Sequence, residues 1–118
     1  MTARPSIYGG LFLFSQIIKE MKKKPNYVIV RTNRAGVFFG ELVEEKPGEV
    51  TLTNYRKLFY WEGAAAVEEL ANSGTKNPNS CKFTVWIDRP SKMADPIQII
   101  PCTNEAIESI KSVKEWRA

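Results

Sequence analysis

A chain of 118 residues in which 43% of side chains are hydrophobic and 25% charged has the make-up of one globular domain with room for a modest core, so neither disorder nor disulfide support is called for. Lys and Arg outnumber Asp and Glu by 17 to 13, and the net +4 favours an anionic partner without the density of a dedicated nucleic-acid binder. With no histidine, the commonest general base, the Ser/His and Cys/His nucleophile pairs and the usual zinc ligand are all missing.

In chain order, residues 7–18 (IYGGLFLFSQII) form the most apolar segment. It is too short to span a bilayer and no small-residue cleavage site follows, so neither a membrane anchor nor a signal peptide is expected. Leu11, Phe14, Ile17, Ile18 and Met21 share one helical face, which predicts an amphipathic helix from about Gly10 to Lys23, ended before Pro25. Residues 1–24 therefore read as a helical extension and 25–118 as a single α+β ligand-binding domain. The apolar stripe would dock on the sheet or on a second copy; the basic run Lys22–Lys24 makes a membrane-surface helix the other reading.

From Tyr27 the pattern is that of strands. YVIVRT (27–32) and VFFGELVE (37–44) flank a turn and predict a hairpin, with Gly40 marking a bulge or a close backbone approach. Glu45-Lys46-Pro47-Gly48 is a β-turn signal leading into EVTLTN (49–54) and then YRKLFYW (55–61). The whole predicts a small, curved antiparallel meander. A short middle helix is expected over 64–74, stopped by Asn72-Ser73-Gly74, then a polar loop over 75–80. KFTVWID (82–88) reads as a strand with Phe83 and Val85 on one face and Thr84 and Trp86 on the other; a loop to Pro96 and a last strand, IQII (97–100), follow. Thr103 is a good N-cap for a C-terminal helix running to about Lys114, whose late Lys111 and Lys114 suit the helix dipole.

The stretch Tyr55–Gly63 concentrates chemistry, with two cations and four rings in seven residues. Strand alternation puts Tyr55, Lys57, Phe59 and Trp61 on one face and Arg56, Leu58 and Tyr60 on the other. Cations flanked by same-face rings suit an anionic ligand with a flat ring, since Arg forks onto phosphate oxygens and an aromatic face stacks on a base. The plainer reading is an edge strand with Tyr and Trp in the core and solvated basic stems. No glycine-rich phosphate loop and no carboxylate pair stands out, so binding rather than catalysis is expected, with no metal and no cofactor. The candidate binding residues are Arg31, Arg34, Arg56, Lys57, Tyr60, Trp61 and Phe83. Cys81 and Cys102, too few for zinc without histidine and not spaced as a redox pair, read as reduced core residues of a cytoplasmic protein.

VIVRT (28–32), AGVFFGELVE (35–44), the YRKLFYW-x-GAA block (55–65), GTKNPNSCKF (74–83) and a late IIP before a short helix together resemble a family of small phage and prophage proteins, the first Thoeris anti-defence family. The resemblance covers about residues 27–116. It implies a sponge that sequesters cyclic ADP-ribose isomers made by TIR-domain defence enzymes, without cleaving them, in the cytoplasm of an infected or lysogenic bacterial host. It also implies cyclic oligonucleotides as a second ligand class, and self-assembly as a homodimer or a hexamer built as a trimer of dimers. By position, Phe83 would stack on adenine, Arg31 and Arg56 would meet phosphates, and Lys111 would supply a basic contact where the family has Arg. The ligand would then lie between two chains, with the last helix or the 74–82 loop as part of its wall. Two other readings remain: a single-stranded nucleic-acid-binding module, and a phage interaction protein docking through its N-terminal helix.

Overall fold

The computed structural model describes residues 26–118. The predicted N-terminal helix and the boundary at residue 24 lie outside the described residues. Among the described residues six antiparallel strands and two α-helices make an α+β fold. The strands are β1 (Tyr27–Thr32), β2 (Val37–Lys46), β3 (Glu49–Tyr60), β4 (Lys82–Phe83), β5 (Ser91–Ala94) and β6 (Pro96–Pro101), and the helices are α1 (Val67–Ser73) and α2 (Asn104–Ser112).

The first three strands form the expected meander. Thr32 N and Oγ1 both donate to Gly36 O (3.0 and 2.8 Å), closing the first turn. Pro47 and Gly48 make the second, with Gly48 at φ +81° between the paired Lys46 and Glu49. The two runs read as 49–54 and 55–61 are a single twelve-residue strand with a bulge inside it. Phe39 pairs with Arg56 and Glu41 with Thr53, so Asn54 and Tyr55 both oppose Gly40. Asn54 takes φ +46°, a conformation its side chain tolerates better than most. A Cβ on Gly40 would run into the Tyr55 Cβ and lie 2.9 Å from Tyr55 Cα, so the close approach read from Gly40 is real.

An inserted residue switches which face the side chains after it occupy. Val50 and Leu52 therefore point into one apolar cluster, with Val28, Val30, Phe38 and Met93, whereas Leu58 joins a second, with Ile29, Phe39, Phe83, Leu70 and Ile110. The first cluster is enclosed because the sheet closes on itself. β6 pairs with β1, β5 pairs with the first half of β3, and only Asp95 (φ +53°) separates β5 from β6. Asp95 N donates to Gly48 O and Asp95 O accepts from Asn33 N, both at 3.0 Å. The segment before Pro96, expected to be a loop, is thus the strand that completes the ring.

The second cluster is the outer face of the sheet, covered by both helices. α2 begins as expected: Thr103 Oγ1 accepts from Ala106 N (3.1 Å), with Glu105 in the first turn and Lys111 in the last. α1 starts three residues later than predicted, at Val67, because Gly63 is at φ +83° and Ala66 offers no capping side chain. The strand predicted over 82–88 is cut to Lys82–Phe83. Thr84 Oγ1 takes the Lys57 N–H (2.9 Å), which leaves the Thr84 carbonyl to Arg56, while the Phe83 carbonyl accepts from both Arg56 and Trp116 N. Ladder pairing resumes only at Tyr55 and Ile87. The alternation expected there fails with it: Phe83 and Trp86, predicted on opposite faces, both pack on the helix-covered side. Among the described residues no helix is long and apolar enough to cross a membrane.

Candidate functional site

Four segments meet at one end of the helix-covered face. Tyr27 at the start of β1, Asn54 at the bulge of β3, Trp86 beyond β4 and Lys111 in the last turn of α2 line an open cavity of about 350 Å³. Each is held by structure already described. The Tyr27 ring lies flat on Phe39 (5.0 Å between centroids, 11° between planes), and Trp86 meets Phe39 edge-on at 6.1 Å. Glu41 Oε1 accepts from Asn54 Nδ2 at 2.7 Å and from Tyr27 Oη at 3.4 Å. The bulge therefore delivers an amide, anchored by a carboxylate, to the rim of the cavity.

Lys111 Nζ stands 4.3 Å from the centroid of the Tyr27 ring and has no carboxylate partner among the described residues. A cation held by a ring face rather than by a salt bridge stays available to an incoming anion. The cavity thus offers aromatic surface, one ammonium and an amide–carboxylate pair, a set that meets a flat ring, a phosphate and a hydroxyl or base edge. A second cavity, about 460 Å³, lies at the β2–β3 hairpin among Glu45, Pro47, Gly48 and Pro96. It is larger but has no ring, and its cation, Lys46, is paired with Glu44 at 3.8 Å. The first cavity is the better candidate on its chemistry.

Arg56 and Phe83 do not line it. Both are completely buried. Arg56 Nε donates to Thr84 O (3.0 Å), Nη1 to Ile110 O (3.1 Å) and Val113 O (2.9 Å), and Nη2 to Phe83 O (3.1 Å). Its guanidinium carbon lies 4.7 Å from the Trp86 centroid and 5.5 Å from that of Phe83. Burial lowers the Arg56 pKa and the nearby Glu115 carboxylate opposes that shift. The roles expected for these residues, a phosphate contact at Arg56 and an adenine stack at Phe83, are corrected on that ground. Arg56 ties β3 to the end of α2 and backs Trp86, and the Phe83 ring fills the core.

The other expected residues are scattered. Arg31 is exposed on β1 and donates to Gln98 Oε1 at 3.2 Å, and Gln98 in turn donates to Glu68 Oε2 at 2.9 Å. Arg34 is exposed in the first turn. Lys57 is half-buried with Nζ 6.0 Å from the Phe38 centroid. Tyr60 is exposed and donates to Glu62, and the half-buried Trp61 packs against the core cluster that contains Leu58. Pairing shifts by one residue between Leu58 and Tyr60, so Trp61 does not share the face expected of it. Of the residues singled out from sequence, Lys111 alone lines the cavity. Tyr27, Asn54, Trp86 and Glu41 were missed. The legible signal was Asn54, an αL-tolerant residue between two strand-like runs.

Among the described residues no group of three or more His, Cys, Asp or Glu side chains is placed to hold a metal ion. No curated protein and no solved structure matches the chain. Residues 25–110, most of its length, match the model of a family described as a domain of unknown function, DUF6948. The chain belongs to the DUF6948 family.

Proposed function

We propose that this protein binds and sequesters a small anionic nucleotide, of the cyclic ADP-ribose type, in the cavity lined by Tyr27, Asn54, Trp86 and Lys111, and that it holds the ligand without transforming it. The observation that carries the reading is the Lys111 ammonium 4.3 Å from the centroid of the Tyr27 ring, without a carboxylate partner among the described residues, beside Trp86 in an open cavity. A purine lies against the Trp86 and Tyr27 surface, Lys111 takes a phosphate, and the Asn54–Glu41 pair meets base-edge or ribose groups. The resemblance to the Thoeris anti-defence family points to the same ligand class and to action in the cytoplasm of a bacterial host.

At about 350 Å³ the cavity is at the small end for a ligand site, and its open mouth leaves part of a two-phosphate ligand uncovered. Tight sequestration therefore calls for a second wall, which a homodimer or a trimer of dimers supplies. Cyclic oligonucleotides are a second candidate ligand class. Isothermal titration with a glycocyclic ADP-ribose isomer, followed by heating to recover the ligand, tests the reading. Binding that releases intact ligand, and that falls at least tenfold in Lys111→Glu and Trp86→Ala, supports it. Unchanged affinity in both variants, or a chemically altered ligand, overturns it.

A further inference from the structure

The end of β3 carries a second group of rings that shares no lining residue with the cavity. Phe59 is 57% exposed, Tyr60 45% and Trp116 41%, although large aromatic side chains ordinarily lie inside or at contact surfaces. Phe59 and Trp116 are stacked, 5.0 Å between centroids and 16° between planes. Lys82 Nζ stands over both neighbours, 5.5 Å from the Trp116 centroid and 5.8 Å from that of Tyr60. The backbone beneath is fixed: Lys82 pairs with Tyr60 in the β3–β4 ladder, and Trp116 N donates to Phe83 O at 2.8 Å.

Lys82 decides what fits there. It has no salt-bridge partner among the described residues, and it sits within the aromatic group rather than at its rim. A dry protein contact would bury that ammonium unpaired, which is costly, and lysine is depleted at the centres of such interfaces. A ligand that brings a phosphate beside each ring satisfies both parts at once, in a chain whose net charge is +4.

We propose that Phe59, Tyr60, Trp116 and Lys82 form a stacking platform for single-stranded nucleic acid, with unpaired bases on the rings and a backbone phosphate on Lys82. The site is short, two or three bases by its ring count, and independent of the nucleotide cavity.

Fluorescence anisotropy of the full chain with a labelled oligothymidylate and an oligouridylate, each of about 12 nucleotides, tests it. Expected are salt-dependent binding, weaker binding of a duplex, and a loss of about tenfold in affinity in each of Phe59→Ala and Trp116→Ala. Lys82→Gln flattens the log–log salt slope by about 0.7, a change that loss of packing alone does not produce. No binding by the wild type overturns the proposal, as do variants that bind as the wild type does. A concentration-dependent dimer that Trp116→Ala abolishes, with no oligonucleotide bound, also overturns it and makes the surface a contact between copies.

Discussion

Arg56 shows how a residue type chosen by ligand chemistry is equally well chosen by architecture. A guanidinium presents its donors in a fixed fork, and here the fork ends on four main-chain carbonyls, those of Phe83 in β4, Thr84 just after it, and Ile110 and Val113 at the end of α2. Arg56→Leu leaves the Thr84 and Val113 carbonyls without their donor, while Phe83 O keeps Trp116 N and Ile110 O keeps Val113 N, and chemical denaturation should report a loss of more than about 3 kcal/mol. Glu115 is the second anchor. Its Oε2 accepts from Trp86 N at 2.8 Å and its Oε1 from Arg117 at 2.7 Å, and these bonds, the Trp86 one first, hold its carboxyl below the usual carboxylate range. A depressed folded pKa means that the stabilisation is present at neutral pH and lost as pH falls through the folded value. Stability should therefore drop as the solution is acidified below the usual carboxylate range, and Glu115→Gln should make that drop smaller in pH-dependent unfolding curves. Burial pushes the Cys102 thiol up to about 12, so it stays protonated and should resist alkylation at pH 8 until the chain is unfolded.

At the scale of elements, the bulge of β3 decides where chemistry appears. Gly40 has no room for a side chain against Tyr55, and Gly40→Ala should destabilise the fold by about 2 kcal/mol or more in the same denaturation assay. Asn54→Gly should be tolerated, whereas Asn54→Val should not, because a β-branched residue resists positive φ. The meander, the Pro47-Gly48 turn and the Thr103 cap were legible, since each rests on local chemistry: alternation, turn residues and a capping hydroxyl. The bulge was half legible, at Gly40, but its consequence was not, because a single inserted residue reverses every later face assignment. That reversal moves Arg56 and Leu58 off the face of Val50 and Leu52 onto the helix-covered face, and the separate shift between Leu58 and Tyr60 parts Tyr60 from the face it was expected to share with them. Residues 91–94 were read as loop because Ser91-Lys92-Met93-Ala94 has no strand pattern of its own; it takes its conformation from β3. Trp86 reached the cavity through the early end of the β4 ladder, which depends on the Thr84 hydroxyl and cannot be read from spacing.

For the whole molecule, closure of the ring by β5 and β6 buries one apolar cluster inside the sheet and leaves the other to the helices. That division frees the end of the helix-covered face to hold the cavity, with one strand start, one bulge and one helix end converging on it. The central claim is that a nucleotide binds there. The chain's three tryptophans allow a direct test, because Trp61, Trp86 and Trp116 lie in the core margin, the cavity and the exposed ring group respectively. Indole N–H resonances followed by NMR during titration with a glycocyclic ADP-ribose isomer should shift at Trp86 and stay in place at Trp116. No shift at any indole, or a shift at Trp116 with Trp86 unmoved, would contradict the account.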